Sequence, residues 1–165
     1  MSDLDSESGK KFRKYVSQAE ALAKMQRFCV YQDRCHQEVR SKLLEMGIFG
    51  ESLEEIIAGL VAEGFLNEER FARSFARGRF RLKQWGRYKI DLELRQRNIS
   101  EYCRRKALTE IDDAEYLDTL LDLLTKKLAE SGADLTPLDV QKAARYAIGR
   151  GFEPELVWSA LERMR

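Results

Sequence analysis

The sequence predicts an all-α protein built as three tandem three-helix units, each helix-turn-helix-like, in an elongated, curved array. Three observations lead there. Ala, Glu, Lys, Leu and Arg make up 83 of 165 residues while Val, Ile and Thr number 17, a balance that favours helix over strand. Apolar residues recur at helical spacing from about residue 17 nearly to the C-terminus. One pattern returns three times: Val39, Leu43, Gly47, Ile48; then Ile90, Leu94, Asn98, Ile99, 51 residues on; then Ala143, Ala147, Gly151, Phe152, 53 further. Apolar, apolar, helix stop, apolar is the grammar of a helix followed by a tight turn. Units of about fifty residues bury too little alone, so they are expected to stack.

Residues 1–14 are polar and read as a disordered tail. The first unit spans 15–66. Its first helix runs roughly Ser17–Gln32, with Ala19, Leu22, Ala23, Met25, Cys29 and Val30 on or near its buried side. Its second starts after Asp33, carries Val39, Leu43 and Met46, and stops at Gly47, suited to a left-handed cap. Its third is expected to start at Ser52, with Glu55 as capping-box partner, and to bury Leu53, Ile56, Ile57, Leu60 and Val61. The second unit spans 67–111. Asn67 caps a helix to about Gln84 with Phe71, Phe75, Gly78 and Leu82 on one face. Trp85-Gly86 breaks it, Gly86 letting the backbone turn. The next helix ends at Asn98, which tolerates the left-handed region, and Ser100 caps the third. The last unit spans 112–165. It opens near Asp112 with Leu117, Leu120, Leu121, Leu124 and Leu128. Thr136-Pro137 and Glu153-Pro154 open its other helices, because proline suits a first helical turn; the last carries Val157, Ala160, Leu161 and Met164.

Charge is balanced overall at +1 but segregated: residues 1–67 carry net −2, 68–106 net +8 and 107–165 net −5. A basic middle between acidic flanks points to a local anionic partner. The densest stretch holds Arg70, Arg73, Arg77, Arg79, Arg81, Lys83, Arg87, Lys89, Arg95 and Arg97 against Asp91 and Glu93. At about 100° per residue, Arg70, Arg73, Arg77 and Arg81 share one stripe, roughly a third of a turn from the phenylalanine stripe. Phe80 falls on the arginine side, and the sequence leaves open whether it stacks on a base or packs against a neighbouring unit. Trp85 and Tyr88 add flat side chains beside Arg87 and Lys89, an interleaving suited to single-stranded nucleic acid; Trp85 reads equally as a staple at the helix junction. Such docking requires the arginines to face outward rather than be neutralised by the protein's own carboxylates.

Other chemistries find little support. His36 is the single histidine, with no Ser or Asp visibly paired to it and no Gly-rich phosphate loop. Glu54-Glu55 and Glu68-Glu69 sit at helix starts, where the dipole favours them. Cys29, Cys35 and His36 match no usual zinc spacing, so no metal site is expected there. Three cysteines cannot all pair in one chain and suit a reducing compartment. The apolar run near Ile56–Ala62 is too short to span a membrane. A cytoplasmic protein that is not an enzyme is expected.

The stretch Gly64-Phe65-Leu66-Asn67-Glu68-Glu69-Arg70-Phe71-Ala72, then Arg79-Phe80-Arg81, Trp85-Gly86-Arg87-Tyr88-Lys89-Ile90 and Glu93-Leu94-Arg95-Gln96-Arg97-Asn98-Ile99, resembles the central signature of the RecX family. These are bacterial regulators of the RecA recombinase. The likeness extends more weakly to Val39–Gly47 and Ala143–Phe152. Two departures stand out: Gln84-Trp85-Gly86-Arg87 replaces the usual Gly-Tyr-Gly-Pro, and Asn98 replaces a glycine cap. The resemblance implies three tandem three-helix units lodged in the groove of the RecA–single-stranded DNA filament. There they restrain its ATPase, coprotease and strand-exchange activities, and so recombination, repair and the SOS response. It implies no cofactor and no catalysis. The expected partners are RecA and single-stranded DNA without sequence preference, with duplex DNA weakly, no membrane, and a monomeric state. The expected contacts are Arg70, Arg73, Arg77, Arg79, Phe80, Arg81, Lys83, Trp85, Arg87, Tyr88, Lys89, Arg95 and Arg97. A stand-alone helix-turn-helix DNA binder and a protein-binding helical scaffold are the alternatives.

Overall fold

The computed structural model describes residues 15–164. The tail expectation for residues 1–14 falls outside the described residues. Nine helices and no strand occur among them, in three sets of three: α1 (Gln18–Tyr31), α2 (His36–Glu45) and α3 (Gly50–Ala62); α4 (Glu68–Lys83), α5 (Arg87–Gln96) and α6 (Glu101–Leu108); α7 (Asp113–Ala129), α8 (Pro137–Gly149) and α9 (Pro154–Arg163). Close helix packing stays largely inside each set, as expected of a repeat array.

Local chemistry sets the helix starts. Ser17, Asn67, Ser100, Asp112 and Thr136 each accept a hydrogen bond from the backbone N–H three residues on, filling donors the helix leaves open. Thr136 and Asp139 complete a reciprocal capping box. α3 departs from expectation. It begins at Gly50, preceded by Phe49 with no side-chain cap, so Ser52 and Glu55 lie inside the helix. Gly50 adopts φ +62°, a left-handed conformation open to glycine.

The thrice-repeated pattern has one physical cause. Gly47, Asn98 and Gly151 sit at φ +80°, +58° and +100°. The N–H groups of Ile48, Ile99 and Phe152 then reach back to the carbonyls of Leu43, Leu94 and Ala147 at 3.0, 3.1 and 3.2 Å. This is a Schellman closure, and it drives the following apolar residue into the core: Ile48, Ile99 and Phe152 are all buried.

The buried side chains of the described residues form two cores. One fills the first set with Ala21, Met25, Cys29, Val39, Leu43, Leu53, Ile56, Ile57, Leu60 and their neighbours. The other runs continuously through the second and third sets, and Cys35 from the first set inserts into it. Its joint is aromatic: Phe80 lies 5.8 Å from Tyr116, and Tyr116 lies 4.9 Å from Phe152, ring centre to ring centre. Contacts of this kind add about 0.5–1.5 kcal/mol each beyond area burial.

The buried face of α4 is not the one the phenylalanine stripe predicted. Phe71, Ala72, Ala76 and Phe80 are buried, Phe75 is partly so, and Leu82 is 86% exposed. The small residues Ala72 and Ala76 on α4 meet Cys103 and Ala107 on α6 in the core, which lets these helices approach closely. That rotates the sheltered side away from Leu82. Ala19, Val30, Val61 and Met164 also stand exposed, while Tyr116, absent from the expected core, is 1% exposed.

The α4–α5 turn corrects a further expectation. The left-handed residue is Gln84, at φ 55°, whereas Gly86 has φ −76°. Gly86 is needed for close approach instead. A Cβ there would overlap the carbonyl carbon of Gly151 and the amide nitrogen of Phe152. Its N–H donates to the Arg150 carbonyl at 2.8 Å, and the Tyr88 N–H donates to the Gly151 carbonyl at 3.0 Å. The second and third sets therefore touch backbone to backbone.

Opposite outcomes follow at neighbouring positions. Gly86→Ala should lower stability by about 1–3 kcal/mol through overpacking. Gln84→Gly should leave it unchanged or raise it by up to about 1 kcal/mol by relieving the left-handed penalty. Urea unfolding of the two variants measures this; effects of the same sign and size would contradict it.

Candidate nucleic-acid interface

The basic segment lies on α4, α5 and the turn between them, and its cations divide into paired and unpaired groups. The arginine stripe is paired. Arg70 Nε bonds Asp33 at 2.9 Å and its Nη2 reaches the Gly64 carbonyl at 3.0 Å. Arg73 bonds Glu69 at 3.0 Å and Glu110 at 2.8 Å, Arg77 contacts Glu110 at 3.2 Å, and Arg81 contacts Glu115 at 3.8 Å. The stripe thus lies on the surface with its charge met by carboxylates from all three sets. Arg77 and Arg81 stay 41% and 59% exposed as side chains, so these are half-solvated pairs, a kind worth about 0–1 kcal/mol each. Hydrogen bonds from Arg73 and then Arg77 hold the Glu110 carboxyl below its ordinary range.

Two residues expected as contacts are structural instead. Phe80 is 3% exposed, because the sheltered side of α4 faces α6 and the third set. Arg87 is largely covered. Its guanidinium bonds Asp113 and Glu153 and lies 3.9 Å above the Tyr116 ring. Its backbone N–H donates to the Tyr116 hydroxyl at 3.1 Å, and that hydroxyl donates to Glu153. Burial, then the Glu153 bond, pushes the Tyr116 phenol far above its usual range. The backbone bond explains one departure from the family pattern: a proline at position 87 would have no N–H to give Tyr116.

Arg95 and Arg97 pair along α5 with Asp91 at 3.3 Å and Glu93 at 2.9 Å, and Arg97 also lies 4.8 Å from the Phe75 ring. The remaining cations collect around Trp85. Lys89, Arg79 and Lys83 stand 4.4, 5.3 and 5.9 Å from its ring, and Phe75 meets it edge-on at 6.3 Å. Among the described residues none of these three makes an ion pair. Tyr88 is exposed in the first turn of α5. A half-buried indole carrying three cations is an attractive surface for a phosphate backbone with bases to stack.

The structure adds Arg150, which the sequence reading passed over. Its guanidinium bonds the carbonyls of Lys83 and Gln84, closing the C-terminal end of α4 from the third set, and it lies 5.8 Å from Tyr146, which Lys127 approaches at 4.8 Å. A signal was present: Arg97 and Arg150 each precede a helix stop in the same place of the repeat.

Among the described residues no group of three His, Cys, Asp or Glu side chains could hold a metal ion. Cys29, Cys35 and Cys103 are free and buried, and burial raises the thiols of Cys29 and Cys35. No helix among the described residues is long and apolar enough to cross a membrane.

Fold and surface together define a helical-repeat protein with a cationic, aromatic corner on its central repeat. Comparison with known proteins specifies the class. A family model described as the second three-helix domain of RecX matches residues 67–108, and one for the third three-helix domain matches 113–161. A regulatory protein RecX of Prosthecochloris aestuarii is 30% identical over 132 residues, covering 80% of this chain and 85% of that protein. One from Pelodictyon phaeoclathratiforme is 33% identical over 125 residues, covering 75% and 76%. One from Lactobacillus gasseri is 25% identical over 162 residues, covering 98% of this chain and 60% of that longer protein. The crystal structure of RecX from Lactobacillus salivarius shares the fold, with TM-score 0.80 and 20% identity over 88% of this chain and 95% of that one. The chain belongs to the RecX family.

The Glu110 pairing carries a pH signature. Its folded-state pKa lies below the ordinary 4.5, so its stabilising contribution is present above 4.5 and is lost as pH falls through the lower folded value. Thermal unfolding between neutral pH and pH 3 should show wild type losing melting temperature more steeply below about pH 4.5 than Glu110→Gln. Identical acid limbs would contradict the pairing.

Proposed function

We propose that this protein binds the filament that RecA forms on single-stranded DNA and restrains its ATPase, coprotease and strand-exchange activities, acting by binding and without a cofactor. Family membership supports the regulatory role, and relatives carry the name regulatory protein. The observation that carries the placement is the Trp85 corner: Arg79, Lys83 and Lys89 around one indole, unpaired among the described residues, while the neighbouring stripe is occupied by carboxylates.

In this reading phosphates lie on Lys83, Lys89 and the outer edge of Arg79, and bases stack on Trp85 and Tyr88. Phosphate contacts and stacking read no sequence, so binding is non-specific and salt-dependent. The units 15–66, 67–111 and 112–165 act as a wedge touching successive recombinase protomers. The third, with net charge −5 over residues 107–165, meets basic recombinase surface. Binding across protomers favours one filament geometry and opposes the cycling that growth requires, a population shift by differential affinity. The protein acts as a monomer in the bacterial cytoplasm and serves recombination, repair and the SOS response.

Co-sedimentation with RecA filaments on single-stranded DNA tests the partner, with free recombinase and bare DNA as controls. Lys83→Glu/Lys89→Glu should weaken capture and ATPase inhibition, and should flatten the plot of log affinity against log salt by about 0.7 per lysine. Undiminished inhibition by that variant at physiological salt would place the interface elsewhere.

A further inference from the structure

Towards its N-terminal end, on the flank away from Phe75 and Arg79, α4 carries a recess of about 280 Å³ lined by Asn67, Glu69, Arg70, Arg73 and Arg77. Arg73 and Arg77 stand one helical turn apart, so their guanidiniums are neighbours on one face. The Glu110 carboxylate spans them, one oxygen on each: Oε1 at 2.8 Å from Arg73 and Oε2 at 3.2 Å from Arg77. Two oxygens on one centre, each met by a guanidinium, is also how a phosphodiester presents its non-bridging oxygens to paired arginines.

We infer that the Arg70–Arg73–Arg77 recess is a second phosphodiester site for single-stranded nucleic acid, masked in the free protein by the Glu110 carboxylate. The inference rests on the reading that the partner brings DNA, and it names how a second contact on the same repeat is controlled.

The placement of Glu110 suits a displaceable mask. It sits in the turn between α6 and α7, outside any helix, and the buried Ile111 beside it anchors that turn. Its side chain can therefore swing away while the backbone stays. The pairs it makes are partly solvent-exposed and belong to a weak class. Glu69 on Arg73 and Asp33 on Arg70 complete the neutralisation, so the recess shows little excess charge until an anion exchanges for the carboxylates. DNA held first at Trp85 can reach the recess further along the same strand, and exchange then follows as an intramolecular step. A merely structural strut between the second and third sets would behave differently: removing it would cost stability without improving binding.

The test is fluorescence anisotropy of the full chain with a labelled oligothymidylate over a salt series. Glu110→Gln should bind about three- to tenfold tighter, and the salt slope should steepen by about 0.7 as one more phosphate is engaged. Asp122→Asn, an exposed α7 residue, makes the same change in net charge away from the recess and should shift affinity by less than about twofold, since a screened, distant charge matters little. In an Arg73→Gln/Arg77→Gln background the gain from Glu110→Gln should vanish, as a coupled pair requires. Glu110→Asp keeps the charge but is too short to span both guanidiniums, and should gain affinity less than Glu110→Gln; it substitutes for that variant should it fold poorly. If Glu110→Gln matches Asp122→Asn, or keeps its gain without the two arginines, the masked site is overturned. A Glu110→Gln gain that persists while Lys83→Glu/Lys89→Glu changes nothing upholds the recess and removes the Trp85 contact. Loss at the lysines with no gain at Glu110 does the reverse.

Discussion

The backbone of Gly86 lies directly on that of Gly151, with no room for a side chain, and the relation between the central and last repeats depends on this contact. Two backbone hydrogen bonds align the strands of chain. The Phe80–Tyr116–Phe152 stack fills the space beneath, and the Arg87–Tyr116–Glu153 network closes its rim. A buried network of this kind is stabilising when every member is satisfied and costly when one is not. Here the tyrosine hydroxyl accepts from the backbone and donates to a carboxylate, so both capacities are used. This rigid joint fixes where Trp85 and Tyr88 project.

The first repeat is attached more lightly. It has its own core and reaches the others mainly through Cys35, buried in the neighbouring cluster, and the Asp33–Arg70 pair. A module with its own core and a sparse interface is the ordinary condition for relative domain motion.

Charge on the central repeat therefore serves two ends. The stripe from Arg70 to Arg81 meets carboxylates contributed by Asp33, Glu69, Glu110 and Glu115, and the Asp33 and Glu115 pairs join the central repeat to its neighbours. The Trp85 cluster keeps its cations beside an aromatic face. Arginine suits the first role through its forked geometry. Lysine suits the second, its flexible stem lying along the indole while its head stays solvated.

Much of this was legible in the sequence because it depends on local rules. Helix composition, the caps at Asn67, Ser100 and Thr136, and the stops at Gly47, Asn98 and Gly151 follow from backbone chemistry within a few residues, and the thrice-spaced pattern revealed the repeat. The family signature in Gly64–Ile99 was readable for the same reason. Only the tertiary structure decided which face of α4 is buried, since two alanines there match Cys103 and Ala107 on α6, and that complementarity spans some thirty residues of chain. It alone showed that Gly86 serves close approach rather than turning, and that Phe80 and Arg87 belong to a joint. Which arginines keep free charge was only partly set by the one-dimensional order: the Arg73–Glu69, Arg95–Asp91 and Arg97–Glu93 pairs lie one helical turn apart, but the partners of Arg70, Arg81 and Arg87 come from other repeats, and distance in space is what electrostatics reads.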